Sequence, residues 1–168
     1  LADKGPKSVR LAAIRALPEI ADPSAVPVLV GLLDDADGEI SKTARECLAA
    51  LPGPKADAAV LTLLNSKVTG KRLISLELIG RRRMVTSIEA LLKTARDPDA
   101  KIRQAALKQV GELGGPAELP PLVNLFMNLE TSQDLNVAEQ ALKNICVQFD
   151  DRQSCTDKLI SLLPQAAP

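Results

Sequence analysis

The residue types that most often carry catalysis are thinly represented in this sequence, and histidine is absent. Without an imidazole, Ser-His-Asp and Cys-His catalysis and the usual histidine-containing metal sites are excluded. The phosphate-binding patterns G-x-x-x-x-G-K-[ST] and G-x-G-x-x-G do not occur. Carboxylates are plentiful, but they are scattered and do not form a pair typical of acid–base catalysis. We therefore expect no catalytic residues, no metal and no cofactor.

The three cysteines leave two alternatives open. Cys47 lies on an apolar stripe and is predicted to be a small buried residue. Cys146 and Cys155 lie at the facing ends of two predicted antiparallel helices, which brings their Cα atoms into the range of a disulfide. A bridge would staple the terminal part of the chain and would indicate an exported protein, whereas free thiols are the other alternative.

Three consecutive arginines, Arg81, Arg82 and Arg83, form the one local basic cluster. The cluster is either a solvated turn between helices or a site for an anionic partner, because guanidinium groups match carboxylate and phosphate. Over the whole chain Lys and Arg number 21, as do Asp and Glu. This balance argues against binding to nucleic acid, and no apolar run approaches the roughly 18 residues that span a bilayer. We expect neither a nucleic-acid partner nor membrane insertion.

The elements that position these residues are predicted from a repeat. Hydrophobic residues make up 46% of the 168 residues but aromatic residues only 1%, which favours packed helices over sheets. The residues that open successive first helices recur at steps of 31, 31, 31 and 35 residues: Val9, Ile40, Lys71, Ile102 and Val137. Small residues follow four positions later, and core-sized residues four positions later again. These registers predict pairs of helices that must stack to bury their apolar faces.

The most complete unit covers residues 97–116. Asp97 is predicted to cap its first helix, with Pro98 at the first helical position and Asp99 in the first turn. A Gly-Gly-Pro sequence then ends the helix. The segment 128–134 is predicted to lengthen a later connection by four residues.

We predict a single repeat domain over residues 1–168. The chain opens with Leu1 instead of Met and ends in P-Q-A-A-P, so we expect it to be part of a longer protein and to be monomeric as a fragment. The predicted units are residues 1–35, 36–66, 67–97, 98–132 and 133–168.

The unit at residues 97–111 resembles the HEAT-repeat family, specifically the short bacterial type often called PBS-lyase HEAT-like. The resemblance rests on an aspartate ahead of Ile102-Arg103, followed by Ala106 and then Val110-Gly111. The segment P-A-E-L-P-P-L-V-N-L is similar to the second helix of that family. The resemblance implies an all-α fold, a right-handed α-solenoid of about five HEAT-like helical hairpins.

The resemblance also implies a ladder of arginine and aspartate between repeats and a concave face, lined by second helices, that binds partners. Arg10, Arg72 and Arg103 occupy or adjoin the arginine position, whereas Ser41 and Ala138 depart from it.

The 31-residue period places polar residues in two rows along the second helices. Gly31 begins the first row and Asp34 the second. We predict that five residues of these rows contact the partner, and ordinary solvent exposure is the alternative. The five residues are Thr62, Asn65, Lys93, Arg96 and Asn124.

The sequence therefore predicts a non-catalytic scaffold, or one module of a larger chain, that binds a protein or peptide partner. The alternative is an accessory enzyme or a chromophore-lyase-like protein of the PBS-lyase HEAT type. An open polar groove favours the scaffold, whereas a deep pocket with converging carboxylates favours the enzyme. The sequence does not determine the compartment, and the alternatives are the bacterial cytoplasm and, if Cys146 and Cys155 are bridged, the periplasm.

Overall fold

The computed structural model describes residues 6–162, and every regular element within them is helical. Residues 1–5 of the first predicted unit and residues 163–168 of the fifth lie outside this described range. The α-helices are α1 (Lys7–Ile20), α2 (Ala25–Leu32), α3 (Gly38–Ala50), α4 (Pro54–Leu64), α5 (Thr69–Arg81), α6 (Ile88–Thr94), α7 (Ala100–Leu113), α8 (Leu119–Phe126), α9 (Ser132–Cys146) and α10 (Arg152–Leu162). Single 3-10 turns, Val85–Ser87 and Pro116–Glu118, lead into α6 and α8. The predicted all-α class of helical hairpins is confirmed.

The chain divides into two compact units, residues 1–82 and residues 83–168. In the first unit, α3 packs against α1, α2 and α5, and α4 packs against α2 and α5. In the second unit, α7 packs against α6 and α9, and α8 packs against α9. Within each unit the first helices of consecutive hairpins thus stack on one another, as the repeat predicts. The single-domain assignment over residues 1–168 stays a prediction.

Small residues allow the first helices to approach one another closely. The register of small residues is buried at Ala44, Ser75 and Ala106, each 0% exposed, and half-buried at Ala13. At Gly111 of α7 the neighbouring helix leaves no room for a side chain, since a Cβ added there would lie 2.5 Å from the Cα of Ala141 in α9. Only glycine fits this crossing without a shift of the backbone.

The connection before α9 is shorter than predicted. The first helices of the hairpins begin at residues 7, 38, 69, 100 and 132, so the steps are 31, 31, 31 and 32 residues. Most of the predicted four-residue insertion belongs to the first turn of α9 and not to the connection. Thr131 caps this turn by accepting a hydrogen bond from the Asp134 amide at 3.2 Å. The residue of α9 that corresponds to Ile102 is therefore Asp134, and the assignment of Val137 to this position was wrong.

The N-cap of α7 also differs from the prediction. Asp99 is the cap, because its carboxylate accepts from the Lys101 amide at 2.9 Å. Asp97 instead accepts from the Asp99 amide at 2.9 Å and shapes the connection. The same tandem of aspartates precedes α3, where Asp35 accepts from the Asp37 amide at 2.8 Å. None of the described helices has the length and hydropathy that crossing a membrane requires.

Candidate partner-binding site

The fourth residue of each first helix ties one hairpin to the next in the first unit. Arg10 of α1 donates through Nη2 to Asp35 Oδ2 at 2.6 Å. In α3 the corresponding Ser41 donates its hydroxyl to the Leu33 carbonyl at 2.6 Å, just after α2 ends. Arg72 of α5 donates through Nε to the carbonyl of the last residue of α4 at 3.1 Å. Ser41 departs from the family pattern but still makes a bond between hairpins.

In the second unit the same position carries Arg103, whose partner is the buried Asp134. Arg103 Nε and Nη2 both donate to Asp134 Oδ2, at 2.9 and 2.6 Å, and Gln104 Nε2 donates to Oδ1 at 3.0 Å. Arg103 Nη1 donates to the Asp97 carbonyl at 2.7 Å. The two side chains are 17% and 2% exposed, so this ion pair lies inside the protein.

Two opposing effects act on the pKa of Asp134. Burial penalises the charged carboxylate and by itself raises the pKa. Hydrogen bonds from Arg103, Gln104 and Thr131, together with the charge of Arg103, outweigh burial and lower the pKa below its ordinary value. Asp134 is therefore an ionised, fully bonded carboxylate and not a proton donor at neutral pH.

A cavity of about 370 Å³ opens beside this ion pair, between the α6–α7 connection and the α8–α9 connection. Arg96 and Asn124, two of the predicted partner-binding residues, lie on its wall. Its buried apolar residues are Ala95 and Leu125, and its remaining lining residues are Asp97, Pro98, Arg103, Asn128, Leu129, Glu130, Thr131 and Asp134.

A protein-family comparison identifies the repeat that carries this geometry. Residues 1–72 and residues 69–143 each match the family model described as HEAT repeats. The chain belongs to the HEAT-repeat family. The resemblance seen at residues 97–111 is thereby confirmed. No curated protein sequence matches the chain.

Solved structures similar to this HEAT-repeat chain include the following two. One is the complex of CpcE and CpcF of phycocyanin lyase from Nostoc sp. PCC7120, with 22% identity, 73% of this chain covered and a TM-score of 0.47. The chain spans 66% of that structure's chain, slightly less than two thirds. The other is an engineered protein with 22% identity, 85% of this chain and 75% of that chain covered, and a TM-score of 0.48. At these values neither similarity carries an argument about activity.

The predicted partner-binding residues of the first unit lie on the exposed side of α4 and at its end. Thr62 and Asn65 are both exposed. The Thr62 hydroxyl donates to the Ala58 carbonyl at 2.9 Å, and Asn65 Nδ2 donates to the Leu61 carbonyl at 3.3 Å. Both side chains therefore bond to their own helix, and their contact with a partner stays a prediction.

The predicted residues of the second unit are also exposed. Lys93 lies on α6 but is not part of the cavity wall. Arg96 follows one turn later, and its Nη1 donates to the Leu92 carbonyl at 3.3 Å. Arg96 and Asn124 are thus the two predicted residues that this HEAT-repeat unit brings to one cavity.

The consecutive arginines have different surroundings. Arg81 is exposed and pairs with Glu77 one turn earlier on α5, at 3.3 Å. Arg83 is exposed and adopts a left-handed backbone conformation with φ of 54°. The run therefore does not act as one surface patch, because its middle member points inward.

Arg82 is a structural residue of the first unit. Its side chain is 7% exposed, and Nε donates to Asp57 Oδ1 at 2.8 Å. Nη1 donates to the carbonyls of Leu48 and Leu51, each at 2.6 Å, where α3 ends. Carbonyls at the end of a helix have no hydrogen-bond donor within that helix. Arg82 supplies the donor for these carbonyls at the end of α3. The sequence run alone does not distinguish this role from solvent exposure.

The positions of the three cysteines agree with those expected from the sequence. Cys146 and Cys155 lie at disulfide-bonding distance, with their Cα atoms 5.6 Å apart. Cys47 is a free, buried thiol of the first unit, and burial raises its pKa. Whether the Cys146–Cys155 bridge forms in solution stays a prediction that mass measurement tests.

Proposed function

We propose that this HEAT-repeat chain is a non-catalytic scaffold that binds a protein or peptide partner at the cavity beside Arg103 and Asp134. The observation that carries the proposal is that Arg96 and Asn124 are exposed and line this one cavity. The 31-residue repeat period alone predicts both residues as partner contacts. Regular rows of second-helix residues are the usual binding surface of helical repeats.

The lining of the cavity suits a short peptide segment. Asn124 and Asn128 present side-chain amides, which can both donate to and accept from a peptide backbone. Arg96 and Glu130 carry opposite charges that can orient the segment, while the half-buried Leu129 provides an apolar surface. A volume of about 370 Å³ accommodates a few side chains of a partner and not a folded domain.

The chemistry of the cavity supports binding more than catalysis. An accessory enzyme or chromophore-lyase-like protein would need carboxylates that are free to exchange protons. The most buried carboxylate of the cavity, Asp134, accepts three hydrogen bonds and has a lowered pKa. Arg103 and Asp134 instead hold the wall of the cavity in one arrangement, which reduces the entropy lost on binding.

A phage-displayed library of random peptides, panned on the whole chain, tests this proposal. The selected peptide is then titrated by fluorescence anisotropy against the chain and its Arg96→Ala, Asn124→Ala and doubly substituted variants. We expect the double substitution to weaken binding by about tenfold or more, since central interface residues dominate affinity. Lys108→Ala is the matched control, because Lys108 is an exposed residue of α7 outside this cavity.

Two results would refute the proposal. One is a library that yields no sequence-specific binder. The other is a selected peptide whose affinity falls equally for the cavity variants and for Lys108→Ala.

A further inference from the structure

The last described helix, α10, buries little of its surface. Of its eleven residues only Cys155 is buried. Leu159 and Leu162 are half-buried, and Ile160 remains 57% exposed. In α9, by contrast, four residues are buried. Apolar packing therefore contributes little to holding α10 in place.

The polar contacts of α10 are local as well. Ser154 donates to the carboxylate of Asp151 through both its amide and its hydroxyl, at 2.7 and 2.8 Å. Gln153 donates to Asp157 one turn further along the same helix, at 2.7 Å. Over residues 6–162, no side-chain hydrogen bond and no ion pair joins α10 to another helix. Hydrogen bonds thus shape α10 but do not dock it.

The strongest link between α10 and the rest of the second unit is the pair of cysteines. Cys146 is the last residue of α9 and Cys155 is the fourth residue of α10. Their separation in sequence is nine residues, so a bond between them closes a short loop. An isolated helix shorter than about 12 residues is only marginally stable in water, and α10 has eleven residues. Without the bond, only the partial burial of Leu159 and Leu162 and the packing of Cys155 hold α10 in place.

A cavity opens beside the two cysteines, of which Cys146 is half-buried and Cys155 is buried. A cavity of about 570 Å³ is lined by Cys146 and Cys155 together with Val147, Phe149 and Leu159. Val147 is 83% exposed, so the cavity has an open side. This space admits a small dithiol, which is the reactant that a disulfide exchanges with.

We propose that Cys146 and Cys155 form a redox latch that decides whether α10 is folded against α9. The thiolate of a dithiol attacks one Sγ, the S–S bond breaks, and the other Sγ leaves as a thiolate. The second thiol of the reductant resolves the mixed disulfide and leaves as part of a cyclic disulfide. Two electrons and two protons pass from the dithiol to the two cysteines. Release of α10 then exposes the side chains of Cys155, Leu159 and Leu162.

Hydrogen–deuterium exchange with mass spectrometry tests the latch on the whole chain, before and after treatment with dithiothreitol. Alkylation with iodoacetamide reports the number of free thiols in each sample. We expect the α10 amides to exchange on the order of a hundredfold faster after reduction, because the bridge constrains the unfolded loop. The amides of α7 and α9 should remain protected.

Substitutions separate the latch from a general loss of folding. Cys155→Ser should show fast exchange in α10 without any reductant, while α9 stays protected. Cys47→Ser is the matched control, since Cys47 is a buried cysteine of the first unit, and it should leave the response of α10 to dithiothreitol unchanged. The latch is ruled out if the chain purified under air contains three free thiols, or if α10 is equally protected in both redox states.

Discussion

Two arginine–aspartate pairs, Arg10 with Asp35 and Arg103 with Asp134, make the same kind of link from different places in the chain. Arg10 and Arg103 are each the fourth residue of a first helix. Asp35 lies in the connection before α3, three residues ahead of its first residue. Asp134 is the third residue of α9 and lies inside the helix. The aspartate side chains are 17% and 2% exposed, respectively.

This difference shows how a repeat can keep an interaction while moving one of its members. The position that Asp134 occupies in α9 is occupied by Ile40 in α3, which is 1% exposed. The position of Asp35 is occupied by Leu129 before α9, so this position offers no carboxylate to Arg103. In the first unit an apolar residue fills the core and a loop residue pairs with arginine. In the second unit the buried carboxylate of Asp134 both fills the core position and pairs with arginine. Its charge therefore has to be balanced within the protein.

The largest expected effect comes from removing the buried carboxylate. Asp134→Ala leaves the Arg103 guanidinium buried without its counter-charge, so we expect the free energy of unfolding to fall by about 3 to 5 kcal/mol. Asp35→Ala should cost clearly less, because Asp35 is nearer to solvent. Urea denaturation followed by circular dichroism measures both. Asp134→Asn is the control that keeps the shape, and equal losses for Asp134→Ala and Asp35→Ala would show that the two pairs are equivalent.

A smaller effect is expected from replacing the arginines by lysine. Arg103 donates through three nitrogens to Asp134 and to the Asp97 carbonyl, and a lysine ammonium cannot span both acceptors. Arg103→Lys should lower the free energy of unfolding by about 1 to 2 kcal/mol. Arg10→Lys should lower it less. If Arg10→Lys lowers the free energy of unfolding more than Arg103→Lys does in the same urea titration, the Arg103 pair is not the stronger of the two.

The smallest effect is the pH dependence of the two pairs. Hydrogen bonds from the Asp37 amide and from Arg10 lower the pKa of Asp35, and Arg103 and its neighbours lower that of Asp134 despite burial. A lowered pKa stabilises the folded chain above the ordinary aspartate value, and this stability is lost as the pH falls through the folded-state pKa. We expect the melting temperature to fall between about pH 5 and pH 2. Asp134→Asn and Asp35→Asn should each flatten this dependence, and curves parallel to that of the unsubstituted chain would contradict the assignment.

Much of the fold was predictable because helical periodicity is local. The 31-residue spacing predicted paired helices, the buried small residues and the exposure of Arg96 and Asn124. The predicted start of α9 was wrong because the residue at the first apolar position of this helix is an aspartate. Aspartate at this position is typical of a loop, so the apolar Val137 was assigned to the repeat position that Asp134 occupies. The arginine 31 residues earlier, Arg103, was the signal that could have identified Asp134.

The sequence by itself determined which residues share a helix face, because that depends only on spacing along the chain. The tertiary structure decided which of them meet. Neighbouring residues on a helix point about 100° apart, so adjacent arginines need not share a surface, and Arg82 turns inward to the end of α3 while Arg81 stays in solvent. The pairing of Arg103 with Asp134 likewise depends on how closely α7 and α9 approach at Gly111. Such contacts join residues about thirty positions apart, and packing of the hairpins alone brings them together.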